Sequence, residues 1–145
     1  MDKGIYCLVF HNPACTAGIG ALGEIAFRKG WHVYIGSALG AGGLKRLERH
    51  IALAEKRDKR PKWHVDWLLT NENFPLRYAV YAPTTLRLEC ILASALGGEH
   101  VPLFGCSDCA CPSHLLFRET DPVQEVREVF RCLKLVPATK TIKSP

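Results

Sequence analysis

The sequence predicts an α/β (α+β) fold: a single domain over residues 1–136 with a loose C-terminal tail over residues 137–145. The chain has 145 residues, of which 48% are hydrophobic and 23% charged, the composition of an ordinary globular domain. Short runs of β-branched and aromatic residues alternate along it with segments whose apolar residues recur at helical spacing. No internal repeat or change of composition marks a second domain.

The first part of the chain is rich in predicted strands. Residues 4–11 predict a strand that ends before an Asn-Pro turn signal. Residues 12–23, rich in glycine, alanine and proline, predict a loop. Residues 24–27 and 31–35 predict the two strands of a hairpin around a tight Lys-Gly turn.

Helices dominate the middle of the chain. Residues 43–56 predict a helix whose apolar stripe packs on the sheet and leaves its cations outside. Residues 62–69 follow a proline, and we favour a helix here over a strand. Residues 77–82 predict a strand, and residues 86–96 predict a helix capped by one of the two threonines before it.

The last predicted elements are one strand and one helix. Residues 97–113 predict a loop rich in glycine, cysteine and proline, and residues 114–117 a short strand. The final helix has Asp121 as its N-cap, Pro122 at its first position and Gln124 at the capping-box position.

The net charge of +5 is concentrated in residues 45–62. This segment holds eight lysines and arginines against three acidic residues, whereas the rest of the chain holds eleven of each sign. Such local excess is typical of a surface that faces a polyanion, and DNA is the predicted partner. The alternative is a solvated helix face with i,i+4 ion pairs. Trp63 beside the segment and the tyrosine strand before it favour the first interpretation.

The cysteines predict a reducing, cytoplasmic environment. There are seven, an odd number, and Cys7 and Cys90 lie in apolar runs where reduced cysteine behaves as a small hydrophobe. The N-terminus lacks the pattern of a signal peptide. No apolar run approaches the ~20 residues that span a bilayer, so no membrane association is predicted. The sequence carries no signal for an oligomeric state.

A tyrosine strand that leads through a glycine-rich corner into a basic helix suggests a phosphate site. Tyr34 ends the strand, and Arg46 and His50, four residues apart, share one face of the helix. Lys45 and Arg49 share another. Such an arrangement can surround one phosphate with a proton acceptor and positive charge.

Two tripeptides and four longer motifs carry a resemblance to a known family. Gly4-Ile5-Tyr6 lies on the first strand and Tyr34-Ile35-Gly36 on a later one. With the basic helix and a later glutamate, this ordered set resembles the GIY-YIG nuclease superfamily. The chain is similar to a small branch of it through YIGSA (34–38), KRLERH (45–50), KWHVDWLL (62–69) and CSDCACPSHLLF (106–117). The resemblance implies a compact fold with a small antiparallel sheet flanked by helices, and metal-dependent hydrolysis of DNA.

The resemblance also implies roles for individual residues. Tyr34 would lie at the water nucleophile with Tyr6 as its support, and Arg46 would hold the scissile phosphate. His50 would take the second helix position, and Glu89 would bind Mg²⁺ or Mn²⁺. Further substrate contacts are predicted for the side chains of Ser37, Lys45, Arg49, Lys62 and His64. For His64 a structural hydrogen bond is the favoured alternative, and Glu89 alone in an apolar helix has the alternative of pointing to water.

Phosphodiester hydrolysis needs these residue types. It requires an in-line water, neutralisation of the non-bridging oxygens and help for the leaving oxygen. The planar fork of arginine suits phosphate, and one carboxylate can hold Mg²⁺ while waters and phosphate complete the octahedron. Tyrosine is a poor base unless the metal and Arg46 stabilise its phenolate, so His50 is an alternative proton carrier.

The loop over residues 106–114 offers four zinc ligands within nine residues, Cys106, Cys109, Cys111 and His114. Structural zinc usually takes well-separated Cys pairs, and so tight a loop would struggle to wrap a tetrahedron. We favour a reduced loop beside the active site, with zinc as the alternative.

The sequence therefore leads to three functional hypotheses. The first is a divalent-metal-dependent DNA endonuclease, acting in DNA repair, restriction or defence and selecting DNA structure rather than sequence. The second is a nucleic-acid-binding module that kept the fold and lost catalysis. The third is a small-molecule or protein-binding domain that uses the cysteine loop.

Overall fold

The structure, a computed structural model, describes residues 2–105 and 111–142. The strands are β1 (Gly4–Asn12), β2 (Cys15–Gly18), β3 (Glu24–Phe27), β4 (Gly30–Ala38), β5 (Leu76–Pro83), β6 (Leu115–Arg118) and β7 (Ala138–Thr141). The helices are α1 (Lys45–Lys56), α2 (His64–Leu69), α3 (Glu89–Leu96) and α4 (Val123–Cys132).

A five-stranded sheet in the order β6-β4-β1-β5-β7 forms the centre, and β2 and β3 form a separate two-stranded sheet. Every pairing of neighbouring strands in both sheets is antiparallel. The predicted α/β fold with an antiparallel sheet flanked by helices is therefore confirmed.

Alternating side chains of β1 divide the core between the two faces of the sheet. Tyr6, Leu8 and Phe10 pack with the buried residues of α1 and α2. The intervening side chains of β1 pack with those of α3 and α4 on the other face. A strand buried on both faces reads as one continuous apolar run, and this is why β1 was predictable from the sequence.

The predicted hairpin between residues 24–27 and 31–35 is wrong. β3 pairs with β2, which formed part of the predicted loop 12–23. β4 pairs instead with the whole length of β1, from Gly4 opposite Ala38 to Asn12 opposite Gly30. The nine-residue strand β4 matches β1 in length and apolarity, so pairing these two satisfies more backbone groups than a four-residue hairpin would.

The predicted helix over residues 86–96 begins at Glu89 in the structure. The hydroxyl of Thr84 accepts a hydrogen bond from the N–H of Leu86 at 3.2 Å, so the threonine closes a turn rather than capping the helix. Before α4, the carboxylate of Asp121 accepts the N–H of Val123 at 3.0 Å.

Residues 138–141, part of the tail predicted to be loose, form β7 at the edge of the sheet. Thr141 lies opposite Tyr78 of β5, and Ala138 lies opposite Tyr81. Within residues 2–105 and 111–142, no helix has the length and apolarity needed to cross a membrane.

Candidate functional site

Tyr6 and His50 form a buried pair between β1 and α1. The Tyr6 hydroxyl and Nε2 of His50 share a hydrogen bond of 2.9 Å, and the Tyr6 side chain is only 1% exposed. Burial raises the pKa of the Tyr6 phenol well above its usual value. Burial also lowers the pKa of the His50 imidazole to about 4, against a smaller opposing effect of Asp66. Both side chains are therefore neutral near pH 7.

Tyr34 is the more accessible of the two predicted catalytic tyrosines. Tyr6 lies opposite Gly36 in the pairing of β1 with β4, so Tyr34 is its diagonal neighbour on the same face of the sheet. The charge of ionised Tyr34 would raise the pKa of Tyr6, as expected for phenols that are close together. The ring of Tyr34 is half-buried and packs edge-on against Phe104, with the centroids 6.1 Å apart.

Ser37, at the end of β4, connects the predicted metal ligand with the predicted phosphate-binding arginine. Its hydroxyl donates a hydrogen bond to Oε1 of Glu89 at 2.5 Å. Its backbone carbonyl accepts one from Nη1 of Arg46 at 3.2 Å. Glu89 belongs to α3 and Arg46 to α1, and these two helices pack on opposite faces of the sheet. The carboxylate and the guanidinium thus meet around one residue.

The cationic field of Arg46 links this group to the buried pair. Its positive charge lowers the pKa of Tyr6 and that of His50, and Arg49 acts on both in the same direction. Tyr6, Tyr34 and His50 therefore lie on the α1 face of the sheet, whereas Glu89 belongs to α3 on the other face and is connected to Arg46 through Ser37. Their roles in catalysis stay predictions.

The residues predicted to contact substrate lie in two different environments. Lys45, Arg49 and Lys62 are exposed, and the first two line a shallow depression on α1. His64 accepts a hydrogen bond at Nδ1 from the N–H of Gly105, at 2.8 Å. Its ring also packs on Phe104 at 5.4 Å, and burial lowers its pKa. The Nδ1 of His64 thus holds the segment against which Tyr34 packs.

The basic segment, residues 45–62, is exposed at all eight of its lysines and arginines. In the part of the chain that the structure describes, all four ion pairs lie outside it. The i,i+4 ion pairs of the alternative interpretation are therefore not formed by these residues. Trp63, at the end of the segment, is 63% exposed. This leaves unneutralised positive charge with an aromatic ring beside it.

A second cluster joins α3 to the segment before β6. Sγ of Cys90 lies 2.6 Å from Sγ of Cys111 and 3.7 Å from Nε2 of His114. All three ligand atoms lie within 4.8 Å of one another and could hold a metal ion. Cys106 and Cys109, two of the ligands in the zinc alternative, lie outside the described residues.

Cys90 was missed as a ligand because only the fold brings it to the others. The sequence shows it within an apolar run, and the pattern that indicated zinc lay wholly within residues 106–114. The one sequence feature that could have suggested Cys90 as a ligand is its position directly after Glu89, the predicted metal ligand.

Gly36 leaves space for the ring of Tyr6. A Cβ at this position would lie 2.6 Å from both Cζ and the hydroxyl oxygen of Tyr6, a ring that is packed too tightly to move freely. We expect Gly36→Ala to lower the free energy of unfolding by about 1–3 kcal/mol, measured by urea titration. Gly18→Ala is the matched control, because a Cβ there meets nothing within 4 Å. Equal effects of the two substitutions would contradict the close approach of Tyr6.

A family model described as a domain of unknown function, DUF123, matches residues 5–135. The comparisons with curated proteins and with solved structures gave no significant match.

Proposed function

The chain belongs to the DUF123 family, and we propose that it is a divalent-metal-dependent endonuclease that hydrolyses DNA phosphodiester bonds at a centre of the GIY-YIG type. The observation that carries the proposal is the link through Ser37, which holds the Glu89 carboxylate and the Arg46 guanidinium at one strand end. The charge of Arg46 acts on the pair of Tyr6 and His50, and Tyr34 is the diagonal neighbour of Tyr6.

Substrate binding in this proposal depends on the basic segment. Its exposed cations would contact phosphates by charge, and this favours affinity without sequence reading. The exposed indole of Trp63 offers a stacking surface for an unpaired base. Arg46 would hold the scissile phosphate, because a guanidinium can donate to two phosphate oxygens at once. We therefore expect selection of DNA structure over sequence.

A hard cation fits the donors around Glu89. The Glu89 carboxylate and the Ser37 hydroxyl supply oxygen atoms, the ligand type that Mg²⁺ and Mn²⁺ prefer. Glu89 would hold the ion, with Ser37 keeping the carboxylate in position. When bound, such an ion neutralises charge on the phosphate and on the leaving oxygen.

Tyr34 is the better candidate to take the proton of the attacking water. Tyr6 is buried, and His50 is hydrogen-bonded to it with a pKa of about 4, which makes the imidazole a weak base at neutral pH. The phenolate of Tyr34 would accept the proton at Oη as the water oxygen bonds to phosphorus, and positive charge from Arg46 would favour that phenolate. The bond from phosphorus to the sugar oxygen breaks, and that oxygen takes a proton from solvent. Tyr6 and His50 would position Tyr34 and Arg46.

Location and pathway are also part of the proposal. Cys7, Cys15 and Cys132 are free thiols, and this supports a reducing cytoplasm. A structure-selective nuclease would serve DNA repair or defence.

The direct test is cleavage of labelled duplex, flap, damaged and single-stranded DNA with Mg²⁺ or Mn²⁺, and with a chelator instead of the metal. We expect metal-dependent cleavage, and we expect Arg46→Ala to lower its rate by ~10²-fold. Arg131→Ala, which removes the same charge from α4, should leave the rate unchanged.

The same assay separates the alternative of a binding module that has lost catalysis. The exposed basic segment supports this alternative too, since binding needs no metal. Salt-sensitive binding without cleavage by any metal would replace the nuclease proposal with it. Absence of both binding and cleavage would reject both.

A further inference from the structure

The side chains of Cys90, Cys111 and His114 form a cluster whose donors differ from those at Glu89. Two sulfurs and an imidazole nitrogen are soft or borderline ligands, which suit zinc and not magnesium. His114 is buried and the two cysteines are half-buried, so the cluster lies partly shielded from water. Cys90 comes from α3, whereas the other two come from the segment that leads into β6. Ligands from two distant parts of the chain are typical of structural zinc.

The separations are close to those around one zinc ion. Bonds of about 2.3 Å to sulfur and 2.0 Å to nitrogen place neighbouring ligand atoms of a tetrahedron roughly 3.5–3.8 Å apart. The 3.7 Å between Cys90 and His114 matches this spacing. The 2.6 Å between the sulfurs of Cys90 and Cys111 is shorter than two thiolates on one zinc and longer than a disulfide of about 2.05 Å. A shift of one sulfur by about 1 Å would seat both on the ion.

The cluster lies where a metal would hold the candidate active site together. Cys90 directly follows Glu89 at the start of α3. The carbonyl of His114 accepts the N–H of Ile35 in β4 at 2.9 Å, and its own N–H donates to the carbonyl of Phe104 at 2.8 Å. An ion on this cluster would therefore tie the start of α3 to β4 and to the segment that packs on Tyr34.

We propose that Cys90, Cys111 and His114 bind a structural Zn²⁺ ion that fixes the start of α3, and with it Glu89, against β4. The remaining tetrahedral position takes a ligand from outside these three residues. This site does not depend on the nuclease proposal, because its donors are separate from the oxygen ligands of the catalytic ion. The full chain would thus carry a hard-cation site and a zinc site next to each other.

The test is the zinc content of the tag-free full chain, expressed with added zinc and purified in reducing buffer. We expect stoichiometric zinc by elemental mass spectrometry in the wild type, and loss of it in Cys90→Ser and Cys111→Ser. Cys132→Ser, at an exposed thiol in α4, is the control that should keep the metal. Glu89→Gln should also keep it, so failure of the nuclease proposal leaves this result unchanged.

A second test, the replacement of zinc by cobalt, uses only the wild-type protein and so does not depend on the folding of a variant. Cobalt in a site with two thiolates shows intense visible bands of a tetrahedral ion and a sulfur-to-metal charge-transfer band, and we expect both. We also expect a strong chelator to lower the thermal unfolding temperature of the zinc-loaded protein. A wild type without zinc in which peptide mapping finds a Cys90–Cys111 disulfide would overturn the proposal. Zinc retained by the folded Cys90→Ser variant would overturn it as well.

Discussion

Replacing Glu89 by glutamine is expected to lower the rate of metal-dependent DNA cleavage by at least ~10²-fold, since a metal ion supplies several kcal/mol of charge stabilisation. Glutamine keeps the size of the side chain, and its amide oxygen can still accept the hydrogen bond from the Ser37 hydroxyl. The substitution therefore removes the negative charge that holds the cation while the start of α3 keeps its contact with β4. The loss should appear in the rate at saturating DNA.

Three measurements distinguish this effect from general damage. Glu72→Gln makes the same change at an exposed turn residue and should leave cleavage unchanged. DNA affinity without metal should be the same or slightly higher in Glu89→Gln, because one negative charge beside the basic surface is gone. If Glu89→Gln keeps some cleavage activity, that activity should need a higher metal concentration than the wild type to reach half of its maximum. Full activity of Glu89→Gln at wild-type metal concentration would show that this carboxylate does not hold the ion.

The residues of the candidate site could be predicted from the sequence because local patterns define the strands and the helix that carry them. The apolar strand with Tyr6, the strand with Tyr34 and the helix with Arg46 and His50 each follow from a contiguous stretch. Their convergence could not be derived from those stretches, because it depends on the register that sets Tyr6 opposite Gly36. The resemblance of the ordered motifs supplied that expectation.

The features that sequence reasoning missed depend on contacts between distant segments. The four-residue strand β2 has a small, partly polar sequence and gains its order from pairing with β3. The strand β7 is exposed at every position, so no apolar alternation marks it, and it exists through its pairing with β5. Cys90 became a candidate ligand in the same way, since α3 and the segment before β6 meet only in the folded chain.

Two buried histidines are expected to make the fold sensitive to mild acid. Burial lowers the pKa of His32 and that of His50 to about 4, from a usual value of 6.5. At His50 burial outweighs the carboxylate of Asp66, and the charges of Arg46 and Arg49 lower the pKa further. Each imidazole stays neutral in the folded chain at a pH where it is already protonated in the unfolded chain. As the pH falls below 6.5, protonation therefore favours the unfolded state until the native imidazole itself protonates near 4.

Each histidine should remove about 3 kcal/mol from the free energy of unfolding between pH 6.5 and 4, by the relation between a pKa shift and stability. Together they approach the total stability of an ordinary domain, about 5–15 kcal/mol. Urea titrations between pH 7.5 and 5, a range above most carboxyl pKa values, should show that the free energy of unfolding decreases as the pH is lowered. His50→Gln keeps a polar atom toward the Tyr6 hydroxyl, and His32→Asn keeps one toward the Asn12 amide. Each substitution should reduce the dependence of the free energy of unfolding on pH. His100→Gln, at an exposed position, should leave it unchanged. A wild-type slope in both buried-site variants would show that neither imidazole is held neutral by the fold.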